Sequence, residues 1–214
     1  TDKIDDLYLG AAKKGHADAQ AMMGYRLAKH KDDEKAQMEA FEWLEKAASK
    51  DQYVALYNLA NCYLNGKGVR RDSKKALENY KKAAHLGYDY AFDPLGQMYS
   101  EGLGTDRDYE EAIKWYQRAA LAGFGSAKYY LGLHYEYGLG TSKNLEKALQ
   151  LYKEASDDEI SDAMIKIGMF YEFGLLGKTD QDEAFAWYDK ANEEGHGYAR
   201  ERIMAVNPDH YVWF

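Results

Sequence analysis

A chain of 214 residues, 46% hydrophobic and 30% charged, is long enough to bury one core or one repeat array, and its formal charge of −8 leaves no cationic surplus for a phosphate backbone. No apolar run approaches the roughly 20 residues a membrane helix needs, and the single cysteine, Cys62, excludes an internal disulfide framework. Thr1-Asp2-Lys3 opens without the apolar stretch of a signal peptide, which fits a cytoplasmic protein and equally a periplasmic or secreted one whose leader was removed.

Residues 3–14 carry Ile4, Tyr8, Ala11 and Ala12 at helical spacing. From there the chain repeats: Ala19, Ala55, Ala91, Ala127, Ala163 and Ala199 open segments 36 residues apart. Four places on stand Met23, Leu59, Leu95, Leu131, Ile167 and Ile203, followed by Gly24, Ala60, Gly96, Gly132 and Gly168. The second half of each unit aligns Ala40, Ala76, Ala112, Ala148 and Ala184, then Leu44, Tyr80, Tyr116, Tyr152 and Tyr188, then Ala47, Ala83, Ala119, Ala155 and Ala191. Offsets of three and four within each half predict two helices per unit, over 55–65 and 73–86, then 91–101 and 109–121. Small residues facing bulky ones predict close helix crossings with the aromatics inside. The partition makes 1–18 an N-terminal half-repeat cap, 19–54, 55–90, 91–126, 127–162 and 163–198 five full units, and 199–214 a capping helix with an aromatic tail. For that tail, ending Tyr211-Val212-Trp213-Phe214, folding back over the last helices and docking into another molecule both stand.

Between the two helices, Gly102 suits a left-handed helix end and Gly104 a tight reversal. This Gly-Leu-Gly follows a helix and lacks the third glycine and the Lys-Ser/Thr of a phosphate loop, so it predicts no nucleotide site. The first unit lacks the glycine pair and has Asp51 where others have Gly87, Gly123 and Gly195, so its loops are expected to take a different path. Glu159 occupies that same column, where the turn must change conformation or hold a non-glycine residue under strain.

Chemistry-bearing residues do not converge in the sequence. His16, His30, His85, His134, His196 and His210 occupy unrelated repeat positions and form no metal-ligand spacing. The acidic clusters at 32–34, 157–159 and 180–183 read as favourable charge at helix starts, and Cys62 as a buried, inert thiol. The basic run from Lys67 to Lys75 reads as a solvated loop and helix start. No catalytic, cofactor or metal residue is assigned, and neither nucleic acid nor a membrane span is expected.

The small-residue, Leu-Gly, Tyr, Gly-x-Gly, Trp-Tyr and Lys-Ala-Ala columns resemble Sel1-like repeats, relatives of tetratricopeptide repeats, over nearly the whole chain. The resemblance implies an all-α, right-handed α-solenoid whose first helices line a concave face. It implies a non-enzymatic scaffold or adaptor for protein partners. A small inhibitor or immunity protein that neutralises a toxin is the alternative, and an enzyme or small-molecule binder built in the groove a further one. By analogy, the binding groove takes positions two, six and ten places after each opening alanine: Tyr57, Asn61 and Asn65; Asp93, Gln97 and Glu101; Tyr129, Leu133 and Tyr137; Ile165, Met169 and Phe173. Glu136 and Glu172 add negative charge beside it, which predicts a partner segment with apolar anchors and basic flanks. Packing of Tyr129, Tyr137 and Phe173 against the next unit is the competing reading.

Overall fold

Apolar and small residues at three- and four-residue spacing, with almost no proline, leave the helix as the regular structure that buries one stripe and pairs its own backbone. The computed structural model describes residues 3–206, and among them are twelve α-helices, one 3₁₀ turn (Asp89–Ala91) and no strand. In chain order these are α1 (Lys3–Lys13), α2 (Ala17–Leu27), α3 (Glu34–Ala48), α4 (Tyr53–Asn65), α5 (Ser73–His85), α6 (Phe92–Glu101), α7 (Tyr109–Leu121), α8 (Gly125–Tyr137), α9 (Leu145–Ser156), α10 (Ser161–Glu172), α11 (Gln181–Glu193) and α12 (Gly197–Val206). The chain divides after Ala112, within α7, into two compact units. The aromatic tail and its two readings lie outside the described residues.

In the first unit α1 packs on α2, α2 on α3, α3 on α4 and α4 on α5. In the second, α8 pairs with α9, α10 with α11, and α12 closes on α11. The recurring second-helix alanines and tyrosines form the core in both: Ala76, Tyr80 and Ala83 in the first, Ala148, Tyr152, Ala155, Ala184, Tyr188 and Ala191 in the second, all essentially inaccessible. The glycine column exists because of these bulky partners. A Cβ on Gly24 would lie 2.6 Å from Leu44 Cγ, and one on Gly132 2.5 Å from Tyr152 Cε1. Ala60 takes this column opposite Tyr80, whose hydroxyl donates to Asn61 Oδ1 at 2.7 Å.

Second helices start on side chains that accept from the orphan amides of their first turn. Asp33 receives Ala36 N at 3.0 Å, Asp72 receives Lys75 N at 3.1 Å, Asn144 receives Lys147 N at 2.8 Å and Asp180 receives Glu183 N at 3.1 Å. Asp33 and Asp180 thus account for part of the acidic clusters as helix caps. Gly102 adopts the expected left-handed conformation with φ 74°. Gly104 does more than turn: at φ 76° it sits against the start of α5, where a Cβ would fall on the Ser73 carbonyl and 2.8 Å from Lys74 N. Gly68 makes the equivalent approach to Gln37 of α3.

One loop expectation needs correction. The chain after α3 does not leave the common path: Asp51 itself takes the left-handed conformation, φ 56°, and Gln52 N reaches Ala47 O as Tyr88 N reaches Ala83 O. At Glu159 the strained alternative holds, with φ 61°. Closure of the preceding helix outweighs the left-handed cost of about 1 to 2 kcal/mol for a residue with a Cβ. The glycine-free loop between α2 and α3 does differ, and the buried Gln37 amide fills in there, donating to Ala28 O at 3.1 Å and His30 O at 2.8 Å.

Candidate functional site

A binding face must be made of residues the core does not consume, so each expected groove position is read by what it touches. In the first unit, Tyr57 is half-buried, its ring 5.6 Å from Tyr80 and 5.3 Å from Tyr88. Asn61 receives the Tyr80 hydroxyl, and the exposed Asn65 donates to Asn61 O at 2.9 Å. Asp93 is half-buried, while Gln97 and Glu101 are exposed and paired with each other at 2.8 Å. Only Asn65, Gln97 and Glu101 of these six are open side chains.

The second unit presents a different chemistry. Tyr129 is half-buried against Tyr152 at 5.8 Å and Tyr130 at 5.4 Å, and burial, followed by the nearby Asp162 carboxylate, pushes its phenol up to about 12. Leu133 packs on the α9–α10 core and Met169 on the α10–α12 core. Ile165 is buried, so its expected outward placement does not hold: its side chain belongs to the α10–α12 core. Tyr137 and Phe173, at 57% and 56% exposed, remain open.

Glu136 and Glu172 do not stand as free negative charge beside the groove. Glu136 is buried, accepting the Tyr152 hydroxyl at 2.5 Å and the Lys166 ammonium at 3.1 Å. Glu172 accepts the Tyr188 hydroxyl at 2.6 Å and pairs with Arg202. Each carboxylate is therefore neutralised by a cation from the following first helix, because a buried charge must be paired. The same cations brace the open aromatics: Lys166 Nζ donates to the Tyr137 hydroxyl at 2.9 Å, and the Arg202 guanidinium lies 5.5 Å from the Phe173 ring centroid. Burial opposes the Lys166 charge, but its bonds to Tyr137 and Glu136 outweigh that and hold its pKa above the usual value. Lys166 and Arg202 were missed in the sequence, although both stand three places after an opening alanine, 36 residues apart.

Two other reactive groups, His134 and Cys62, are engaged in packing. His134 is buried with Nδ1 2.9 Å from Leu139 O, and burial lowers its pKa. Burial pushes the Cys62 thiol from 9.0 up to about 11, which leaves about a hundredfold less thiolate near neutral pH. Iodoacetamide is accordingly expected to label Cys62 of the folded protein about a hundredfold more slowly than in urea; equal rates would show an open thiol. Among the described residues, no group of three His, Cys, Asp or Glu is placed to hold a metal ion, and no helix is long and apolar enough to cross a membrane.

Helix pairs repeated at a fixed period, with partner-to-partner polar braces and no assembled reactive centre among the described residues, define a helical-repeat array of the α-solenoid class. The Sel1 repeat model matches residues 17–52, 54–88, 95–124, 125–158 and 161–196, and the chain belongs to the Sel1-repeat family. Among solved structures it is similar to a protective antigen of uropathogenic Escherichia coli displaying an SLR fold, with TM-score 0.81 and 28% identity over 97% of this chain. The chain spans 44% of that antigen's length. It is also similar to a Sel1 repeat protein from Oxalobacter formigenes, with TM-score 0.81 and 30% identity over 93% of this chain and 81% of the other. An immunity protein from Pseudomonas aeruginosa aligns at TM-score 0.56 and 27% identity over 86% of this chain and 67% of its own. No curated protein matches by sequence.

Proposed function

We propose that the chain is a non-enzymatic binding module that holds a peptide or protein segment on the exposed face of its first helices, with Tyr137 and Phe173 as the anchors of the second unit. The observation that carries this reading is their shared position: each stands at the end of a first helix, each is more than half exposed, and each is braced by a cation fixed to a buried or half-buried carboxylate. Aromatic side chains held in one orientation lose little freedom on binding and are the usual source of binding energy in an interface. The partner contributes apolar groups to these rings. The basic flanks expected from Glu136 and Glu172 lose their support here, since Lys166 and Arg202 already neutralise both.

The test replaces Tyr137 and Phe173 together by alanine, recovers a partner with the unaltered protein, and measures affinity and urea stability for both forms. Affinity is expected to fall by about 2 kcal/mol or more, the scale of an interface hot spot, while stability changes by under about 1 kcal/mol, as at surface sites. Unchanged affinity removes this face from the site; a large stability loss makes both rings packing residues. Tyr129 is left out of the pair because its ring already packs on Tyr152.

The similarity to the Pseudomonas immunity protein supports a second reading, in which the bound partner is a toxic effector. Inhibition of the recovered partner's activity on complex formation separates this from adaptor binding.

A further inference from the structure

The first unit carries an aromatic surface that the repeat pattern does not require. Tyr25 of α2, Tyr53 and Tyr57 of α4, and Tyr88 and Tyr90 after α5 lie together although only Tyr57 belongs to the expected groove. Ring centroids are 5.3 Å apart for Tyr53 and Tyr88, 5.3 Å for Tyr57 and Tyr88, and 5.2 Å for Tyr88 and Tyr90. Tyr25, Tyr53 and Tyr90 are 45%, 45% and 59% exposed. Burial, then the adjacent phenols of Tyr57, Tyr90, Tyr53 and Tyr25, raise the pKa of Tyr88, so the five hydroxyl-bearing edges share one neighbourhood. Tyr25, Tyr57 and Tyr88 line a cavity of about 400 Å³ between α2 and α4, and Asp18 is the only charged residue in its wall.

We propose that this cavity receives the cationic side chain of an arginine or lysine on an extended partner segment, with the tyrosine faces around the cation and Asp18 as its counter-ion. The wall pairs π faces, which attract a cation electrostatically, with one carboxylate and contains no Lys or Arg itself, although a neighbouring cation, Lys29, stands over the Tyr25 ring. Asp18 Oδ1 accepts from Gln52 Nε2 at 3.2 Å, which orients the carboxylate without neutralising it. The chain also shows the same chemistry at one ring: Lys29, just past the end of α2, holds its ammonium 4.6 Å from the Tyr25 centroid. A neutral apolar occupant engages the rings alone, whereas a cation engages carboxylate and rings together. The assignment rests on the reading of the chain as a protein-binding array, but on a surface of the first unit alone.

The experiment follows tyrosine ring resonances by NMR during titration of the full chain with acetyl-Gly-Arg-Gly-amide, with the same peptide carrying citrulline or norleucine for arginine, and with tetramethylammonium. The arginine peptide is expected to shift Tyr25, Tyr57 and Tyr88 saturably, with citrulline weaker by about tenfold, the scale of a partly desolvated cation–π contact. Asp18→Asn and Tyr25→Leu, both at exposed positions, should each weaken the arginine peptide several-fold while the thermal midpoint stays put. Equal binding of citrulline, tighter binding of norleucine, tighter binding of tetramethylammonium, or no response to the arginine peptide each overturns the proposal; the second would make the cavity an apolar groove and the third a small-cation site. Since Tyr137 and Phe173 take no part, failure of their substitution test and failure of this titration are separate results.

Discussion

Tyr152→Ala is expected to lower stability by about 3 to 5 kcal/mol, the range for truncating a buried aromatic side chain. The ring is fully buried over Gly132, 5.9 Å from Phe170 and 5.8 Å from Tyr129, so its removal opens a cavity that the rigid α8–α9 crossing cannot close. It also takes from the buried Glu136 one of its two partners. Tyr152→Phe separates the two losses: it keeps the ring and removes the hydroxyl alone, for about 1 to 3 kcal/mol. Urea unfolding of both variants makes the comparison, and equal midpoints would mean that the ring contributes nothing beyond its hydroxyl. The phenol also has a pH signature. Burial first, then the bond to Glu136 and its charge, raise the Tyr152 pKa, so the folded state keeps a proton that the unfolded chain releases above about pH 10. Its contribution is complete below that pH and is lost as pH rises further. Tyr152→Phe should therefore flatten the alkaline fall in stability.

Gly104→Ala is expected to cost about 2 to 5 kcal/mol, the sum of a left-handed residue with a Cβ and an overpacked contact. The backbone of α5 occupies the space: the added carbon would meet the Ser73 carbonyl group and Lys74 N, and neither can swing away as a side-chain end could. Gly87→Ala supplies the control. It has φ 84° and nothing within 4 Å of an added Cβ, so only the conformational part, about 1 to 2 kcal/mol, applies. Asp51 and Glu159 already stand at that column with positive φ, which shows that the open turn accepts a side chain. Urea midpoints that coincide for the two alanine variants would eliminate the close approach as the reason for Gly104.

These two cases mark how far a period can be read. Alternation of Gly132 with Tyr152, or Gly168 with Tyr188, is visible in one dimension because both members recur at fixed columns, and bulky-against-small packing is the only arrangement that fills such a crossing. The helix starts at Asp33, Asp72, Asn144 and Asp180 are equally legible, since a capping side chain acts within three residues of itself. The candidate face was legible only in part. Counting from each opening alanine found Tyr137 and Phe173, which are open, and also Ile165, which is buried. Helical spacing ranks positions by angle around one helix. It does not say which side the next helix covers.

The 36-residue period by itself determined the helix pairs, their core columns and the family, because local propensity and burial of a repeating stripe act at the range of a few residues. Tertiary structure alone decided what Glu136 and Glu172 do: each sits beside a tyrosine hydroxyl of its own repeat and a Lys166 or Arg202 from the next, so charges read as exposed became paired and largely shielded from water. It likewise gathered Tyr25, Tyr57 and Tyr88 from separate elements around one cavity. Both outcomes depend on contacts made 16 residues or more apart along the chain, where burial of a charge is tolerable only if a partner arrives with it.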